Sequence, residues 1–199
     1  MDLIQELNTY LSRKLKLFQS LTNFQFPIPV EFIVKDIGEF SLETLQILLD
    51  KTDFTNSIYR ISTSKVPFAL EEIIKKFQTL KNEHKEKYDN PYYHISKINK
   101  EHDWKTALLE YTIYLGSKRE DIKTRLKQHL GLIDEANRGV YSLYLKDWWP
   151  IKCPLKITIW SFGENVTNDQ LQIIEDCLWQ SFKPLFGKSG PTFNMKNGA

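Results

Sequence analysis

Leu3, Ile4, Leu7, Leu11, Leu15 and Phe18 recur at three- and four-residue steps, which predicts an amphipathic helix over about residues 2–20. The following "FQFPIPVEFIV" has two prolines two residues apart, so it reads as an extended connector or an edge strand. "SLETLQILLDKT" restarts a helix, with Ser41 as N-cap and Leu42, Leu45, Leu48 and Leu49 on one face. Residues 57–63, "SIYRIST", alternate in the manner of a strand. A charged helix follows, apolar at positions 68, 70, 73, 74, 77 and 80 before its last turns become wholly polar.

"NPYYHISKINKEHDWKTALLE" has no clear period, and only "YYHISKI" is locally strand-like. "YTIYLGS" predicts a strand ending at Gly116, and "EDIKTRLKQHLG" a helix stopped by Gly131. "VYSLYL" and "LKITIWSF" predict two further strands. "NDQLQIIEDCLWQSFKPLFG" predicts the last helix, capped by Thr167 or Asn168 and ended by Pro184. The C-terminal half therefore reads β, α, β, β, α, and the chain as an α+β protein.

With 199 residues the chain is long enough for one full-sized domain, or for a core with an appended subdomain. Apolar residues at 41% fit a globular protein, and no apolar run is long enough to span a bilayer. The acidic, helix-patterned N-terminus is unlike a secretory signal, which together with two isolated thiols, Cys153 and Cys177, places the expected compartment in the reducing cytoplasm. The net charge of +2 is too small to argue for nucleic acid by itself. It is unevenly spread, however: residues 1–50 hold seven acids and four bases, so the remainder carries +5. Polyanion binding, if any, belongs after residue 50.

The basic surface concentrates around residues 118–127, where Lys118, Arg119, Lys123, Arg125 and Lys127 face only Glu120 and Asp121. A phosphate there meets net positive charge, although a basic helix face is more often simply solvated. Arg125 and His129, four apart, share one face of their helix and can reach a common point. Glu175 is an acid inside an otherwise amphipathic helix; beside Asp176 it also fits an acidic first turn that favours the helix dipole. The adjacent Trp148 and Trp149 suit either base stacking or a packed sheet corner, and packing is the commoner use. "GKSGP" at 187–191 lacks the glycine and the strand that a phosphate-binding loop requires.

Tyr114-Leu115-Gly116, then Arg125, then His129, resembles the second half of the motif that defines the GIY-YIG nuclease superfamily. "YLG" departs from "YIG" only at Leu115, and the "KPLF" after Glu175 resembles that family's proline-aromatic ending. The resemblance implies a small mixed or antiparallel sheet of three or more strands flanked by helices. It implies two tyrosine motifs on neighbouring strands, an arginine from the helix after the second, and a glutamate on a later helix holding one divalent ion.

The implied activity is metal-dependent hydrolysis of DNA phosphodiesters by an endonuclease, in a family that serves restriction and defence, repair and homing. Glu175 would hold Mg²⁺ or Mn²⁺, Arg125 would stabilise the phosphoryl oxygens, and Tyr59 or Tyr114 would accept a proton from water. The free tyrosine pKa of about 10 is too high for that role without nearby positive charge. His129 would be a second proton-transfer group or a phosphate ligand, and Lys118, Arg119, Lys123 and Lys127 would line the DNA path.

The first motif has two candidates. Tyr59 in "SIYRIS" lacks the family's glycine, and "PYYHIS" offers Tyr92 or Tyr93. Tyr59 has the cleaner strand, and an insertion between paired strands is tolerated if its ends stay close. The expected organisation is an N-terminal helical region over 1–55 and a nuclease-like domain over 56–199 with a charged helical insertion at about 66–105. The position after Phe186, asparagine in the family, is Gly187 here, so either Asn194 substitutes or that role is absent. A weakened nuclease fold that binds nucleic acid or protein is the alternative reading.

Overall fold

The computed structural model describes residues 9, 12, 15–16, 19–21, 24–50, 54–64, 70–87, 110–133, 142–150 and 153–187. Four strands form one antiparallel sheet: β1 (Val30–Val34), β2 (Ser57–Thr63), β3 (Tyr111–Lys118) and β4 (Leu155–Ser161), in the order β1-β4-β2-β3. The helices are α1 (Leu42–Leu49), α2 (Leu70–Lys87), α3 (Ile122–Leu130), the short α4 (Leu145–Trp148) and α5 (Asn168–Phe182). The α+β class is therefore as the hydrophobic pattern predicts.

Alternation along the strands sorts apolar side chains onto two faces. Phe32, Tyr59, Ile61, Ile157 and Ile159 join Leu45, Phe77, Leu126 and Leu130 in the larger cluster, which the first four helices cover. Ile58 and Leu115 point the other way, against Leu171, Ile174 and Trp179 of α5. The central strand β2 is buried on both faces, with only Arg60 partly open. Arg60 is satisfied there by Glu110 at 3.0 Å and Thr112 at 2.7 Å, with its guanidinium 4.2 Å from the Phe182 ring centre.

Local signals set most element ends. The Ser41 side chain accepts from Thr44 N–H to start α1, and Thr167 with Gln170 forms a capping box at α5. Gly131 takes the left-handed conformation (φ 77°), which lets Leu132 N–H reach the Lys127 carbonyl at 2.9 Å and stop α3. Lys183, also left-handed, and Pro184 end α5.

Residues 64–110 leave β2 and return to β3 directly opposite, since Thr63 pairs with Tyr111. Helix α2 begins this insertion, as its apolar spacing predicts, while Tyr92 and Tyr93 lie outside the described residues.

Two expectations are corrected. The described part of "VYSLYL", residues 142–145, is not a strand: Tyr144 is left-handed (φ 51°), and Leu145–Trp148 turn into α4 so that Trp148 Nε1 donates to the Leu143 carbonyl at 2.6 Å. Both tryptophans are buried, the packed use expected to be the commoner, and Trp149 Nε1 donates to the Cys153 carbonyl. The 1–55 region is not only helical, because Val30–Val34 adds edge strand β1 to the same sheet. Residues 9, 12, 15–16 and 19–21 are helical, and the rest of the predicted first helix lies outside the described residues. Among the described residues no helix is long and apolar enough to cross a membrane.

The C-terminal tail of α5 closes the fold against β3. Leu185 and Phe186 donate their N–H groups to the carbonyls of Thr112 and Ile113, and Phe186 bridges Tyr114 in parallel. The Phe186 ring sits 4.3 Å from Phe77 and 5.5 Å from Trp148, joining α2 and α4 to the sheet. Replacing Phe186 by alanine should cost about 3–5 kcal/mol in urea denaturation, the range for truncating a buried aromatic.

Candidate active site around Gly116

Tyr59 on β2 stands opposite Gly116 on β3. Gly116 does not adopt a positive φ; it is glycine because of space. A Cβ there would lie 2.8 Å from the Tyr59 hydroxyl and 2.8 Å from Cε1 of Tyr114. The missing side chain lets both tyrosines close over the strand, with ring centres 6.0 Å apart and planes 28° from parallel.

Helix α3 adds the other two groups on this face. Its N-cap, Asp121, accepts from Thr124 N–H at 3.1 Å, and Ile122, Leu126 and Leu130 bury its inner side. That orientation drives His129 inward until it is fully buried, with its ring 4.4 Å from Tyr114 and its Nε2 2.9 Å from the Tyr59 hydroxyl. Arg125, one turn earlier, is half-buried and within hydrogen-bonding reach of both tyrosine hydroxyls. Its Nη1 donates to Gln128 Oε1 and Ser142 Oγ, each at 3.0 Å.

Burial and the Arg125 charge both push the His129 pKa well below its ordinary 6.5, so the imidazole is neutral. Its Nδ1 is buried with no hydrogen-bond partner. Burial likewise raises the Tyr59 pKa well above 10, assisted by the neighbouring Tyr114 and opposed by Arg125. The positive charge expected to make a tyrosine basic is present, but at Tyr59 desolvation outweighs it. Tyr59 is 1% exposed, whereas Tyr114 is only half-buried.

Glu175 sits on the opposite face. The residue after Gly116 points away from the tyrosines, so Ser117 faces α5, and its Oγ donates to Glu175 Oε2 at 2.5 Å. Burial raises the carboxyl pKa, the bonds from Ser117 lower it, and Asp176 raises it further. Glu175 lies in the middle of α5, not its first turn, so the helix dipole does not account for it. The two faces communicate electrostatically, since Glu175 is among the charges that act on Tyr59.

The structure thus brings Tyr59, Tyr114, Arg125 and His129 into mutual contact and sets Glu175 across the sheet at the same strand. Of the basic residues, Lys118 and Arg119 are exposed, Lys127 is half-buried, and Lys123 pairs with Asp50 at 3.2 Å. Ser117, Gln128 and Ser142 were not singled out from sequence. Strand alternation after Gly116 is the signal that points to Ser117; Ser142 has none, since it reaches Arg125 from a separate segment.

Among the described residues no three His, Cys, Asp or Glu side chains gather for a metal ion. A cation would rest on Glu175, because Asp176 Oδ1 accepts from Gln172 instead. One half-buried carboxylate fits Mg²⁺ or Mn²⁺, hard ions that retain waters and take phosphate oxygens as further ligands. Gly187, at the position where the resemblance expects asparagine, adopts φ 106°, a conformation that side chains rarely take. Asn194 lies outside the described residues. No protein-family model, curated protein or solved structure matches the chain.

Gly116→Ala should lower stability by about 1–3 kcal/mol through overpacking, measured by urea denaturation, because two ring atoms must retreat from the new methyl group. His129 should impose a pH dependence of its own. The unfolded chain protonates near pH 6.5 and the buried ring resists, so stability is retained above that pH and lost as pH falls. His129→Gln, which keeps a hydrogen-bonding group without titrating, should flatten the thermal-stability slope between about pH 5 and 7.

Proposed function

We propose that the protein is a metal-dependent DNA endonuclease of the GIY-YIG type, acting in the cytoplasm. The observation that carries this reading is the convergence of Tyr59 from β2, Tyr114 from β3, and Arg125 and His129 from α3 around Gly116, with Glu175 held at the adjoining Ser117. Chance matching of "YLG" gives no reason for the later arginine and histidine to gather there, or for the glutamate to pack on the next residue of the same strand.

DNA is a polyanion, and attack on its backbone builds charge on the phosphoryl and leaving oxygens. Arg125, aimed at the tyrosine hydroxyls by Gln128 and Ser142, provides a planar set of donors for those oxygens. Glu175 would hold a Mg²⁺ or Mn²⁺ ion, which when bound would supply Lewis-acid stabilisation of developing negative charge. Of the two tyrosines, Tyr114 is the more accessible and lies beside Arg125, so it is placed to meet the attacking water and take its proton. Tyr59 and His129, both buried and bonded to each other, hold Tyr114 and Arg125 in position. Lys118, Arg119 and Lys127 extend positive charge away from the site for the DNA backbone.

A second reading, a nuclease-fold module that binds nucleic acid or protein without cleaving, is favoured by Gly187 in place of asparagine and by the raised Tyr59 pKa. The two separate on plasmid and branched DNA incubated with Mg²⁺ or Mn²⁺. Cleavage that falls by about 10²–10³-fold in Glu175→Gln and Arg125→Ala, with circular dichroism unchanged, is the expected result. Salt-sensitive binding without cleavage by the native protein would support the module instead.

A further inference from the structure

Gly116 and Ser117 divide the proposed site between them. Gly116 leaves room for the tyrosines on one face, and Ser117, pointing the other way beside Leu115, meets α5. Glu175 emerges there among Ile174, Leu171 and Leu178, which pack on Ile58 and Leu115. A carboxylate in such apolar company is costly unless it is hydrogen-bonded. Ser117 supplies that bond: its Oγ–H donates to Oε2 at 2.5 Å. The 2.5 Å separation is in the short range of O–H donors to a carboxylate, where bonds are strong and directional.

We infer that Ser117 is a positioning residue for Glu175, gripping the carboxylate from one side so that it is held ready to ligate a divalent cation beside Gly116. The inference rests on the metal-dependent reading above. Its physical basis is the general one for ligating carboxylates: an outer partner fixes the ligand's rotamer before the ion arrives, so less order remains to be imposed on binding. The strand makes the grip firm because β3, which carries the hydroxyl, is anchored on one side by β2. Threonine keeps the hydroxyl donor; alanine removes it.

Mn²⁺ binding, followed by electron paramagnetic resonance on the full chain, tests this without relying on cleavage. The native protein should bind and Glu175→Gln should not. Ser117→Ala should weaken affinity by about 10–100-fold with its circular dichroism unchanged, and Ser117→Thr should return it to within about threefold of native. In cleavage assays Ser117→Ala should raise the Mn²⁺ concentration for half-maximal rate by the same factor and leave the rate at saturating metal near native. Ser117→Ala binding Mn²⁺ within about threefold of native, while Glu175→Gln does not bind, would overturn the positioning role and leave the metal reading standing. A native protein that binds no Mn²⁺, or a Glu175→Gln variant that binds it as well as native, removes Glu175 as ligand and the positioning role with it.

Discussion

The site depends on one steric fact: β3 carries no side chain at position 116. Opposite it, the Tyr59 hydroxyl occupies the volume a Cβ would need, and the ring of Tyr114 occupies the rest. A tyrosine hydroxyl drawn down onto a strand in this way cannot point to solvent. It finds its partner in His129, which α3 places on the same face because Ile122, Leu126 and Leu130 must face the core. The polar cluster is therefore a consequence of packing. Its members are fixed by the same contacts that bury the hydrophobic core, and that burial is the main cause of the shifted pKa values of Tyr59 and His129.

This arrangement has a cost. His129 Nδ1 is buried without a partner and the imidazole stays neutral, while the Tyr59 phenol is held far from ionisation. Buried polar groups left incomplete are unfavourable by about 1–3 kcal/mol each, and folds retain them chiefly where they serve a purpose. Here the purpose that fits is rigidity: Tyr114 is stacked on a fixed tyrosine and packed against a fixed histidine, so its hydroxyl has little freedom beside Arg125. Tyr114, Arg125 and Glu175 remain partly exposed, and under the proposed function they are the groups left to meet a substrate.

What could be read from the sequence was what local chemistry decides. Ser41, Thr167, Gly131 and Pro184 mark helix ends because caps and stops act within one turn, and the alternation in "SIYRIST" marks a strand because its two faces are set by neighbouring residues. "VYSLYL" misleads because its β-prone residues are overridden by tertiary packing: Tyr144 adopts a left-handed conformation and the Trp148 indole folds back onto the Leu143 carbonyl. Ser117 becomes meaningful only once α5 is known to cross β3. Ser142 reaches Arg125 from 17 residues further along the chain, a pairing that no periodicity reports. Edge strand β1 was half legible, since prolines permit an edge without requiring one.

The register of β2 on β3 is then the variable through which fold and chemistry are coupled. Because side chains alternate, a slip of one residue would bring Leu115 or Ser117 opposite Tyr59, put a Cβ where the hydroxyl must lie, and turn the Glu175 partner toward the wrong face. The insertion over 64–110 does not loosen this register. Its ends are paired at Thr63 and Tyr111, loop-closure entropy grows only slowly with length, and the shift at Ile113 is absorbed before the strand reaches Tyr114. Two further contacts hold the register from outside: the Phe186 bridge at Tyr114 and the packing of Leu115 under α5. The first fixes the tyrosine face and the second fixes the glutamate face. A strand clamped independently on both sides can carry the two halves of one site, because neither half can shift without the other.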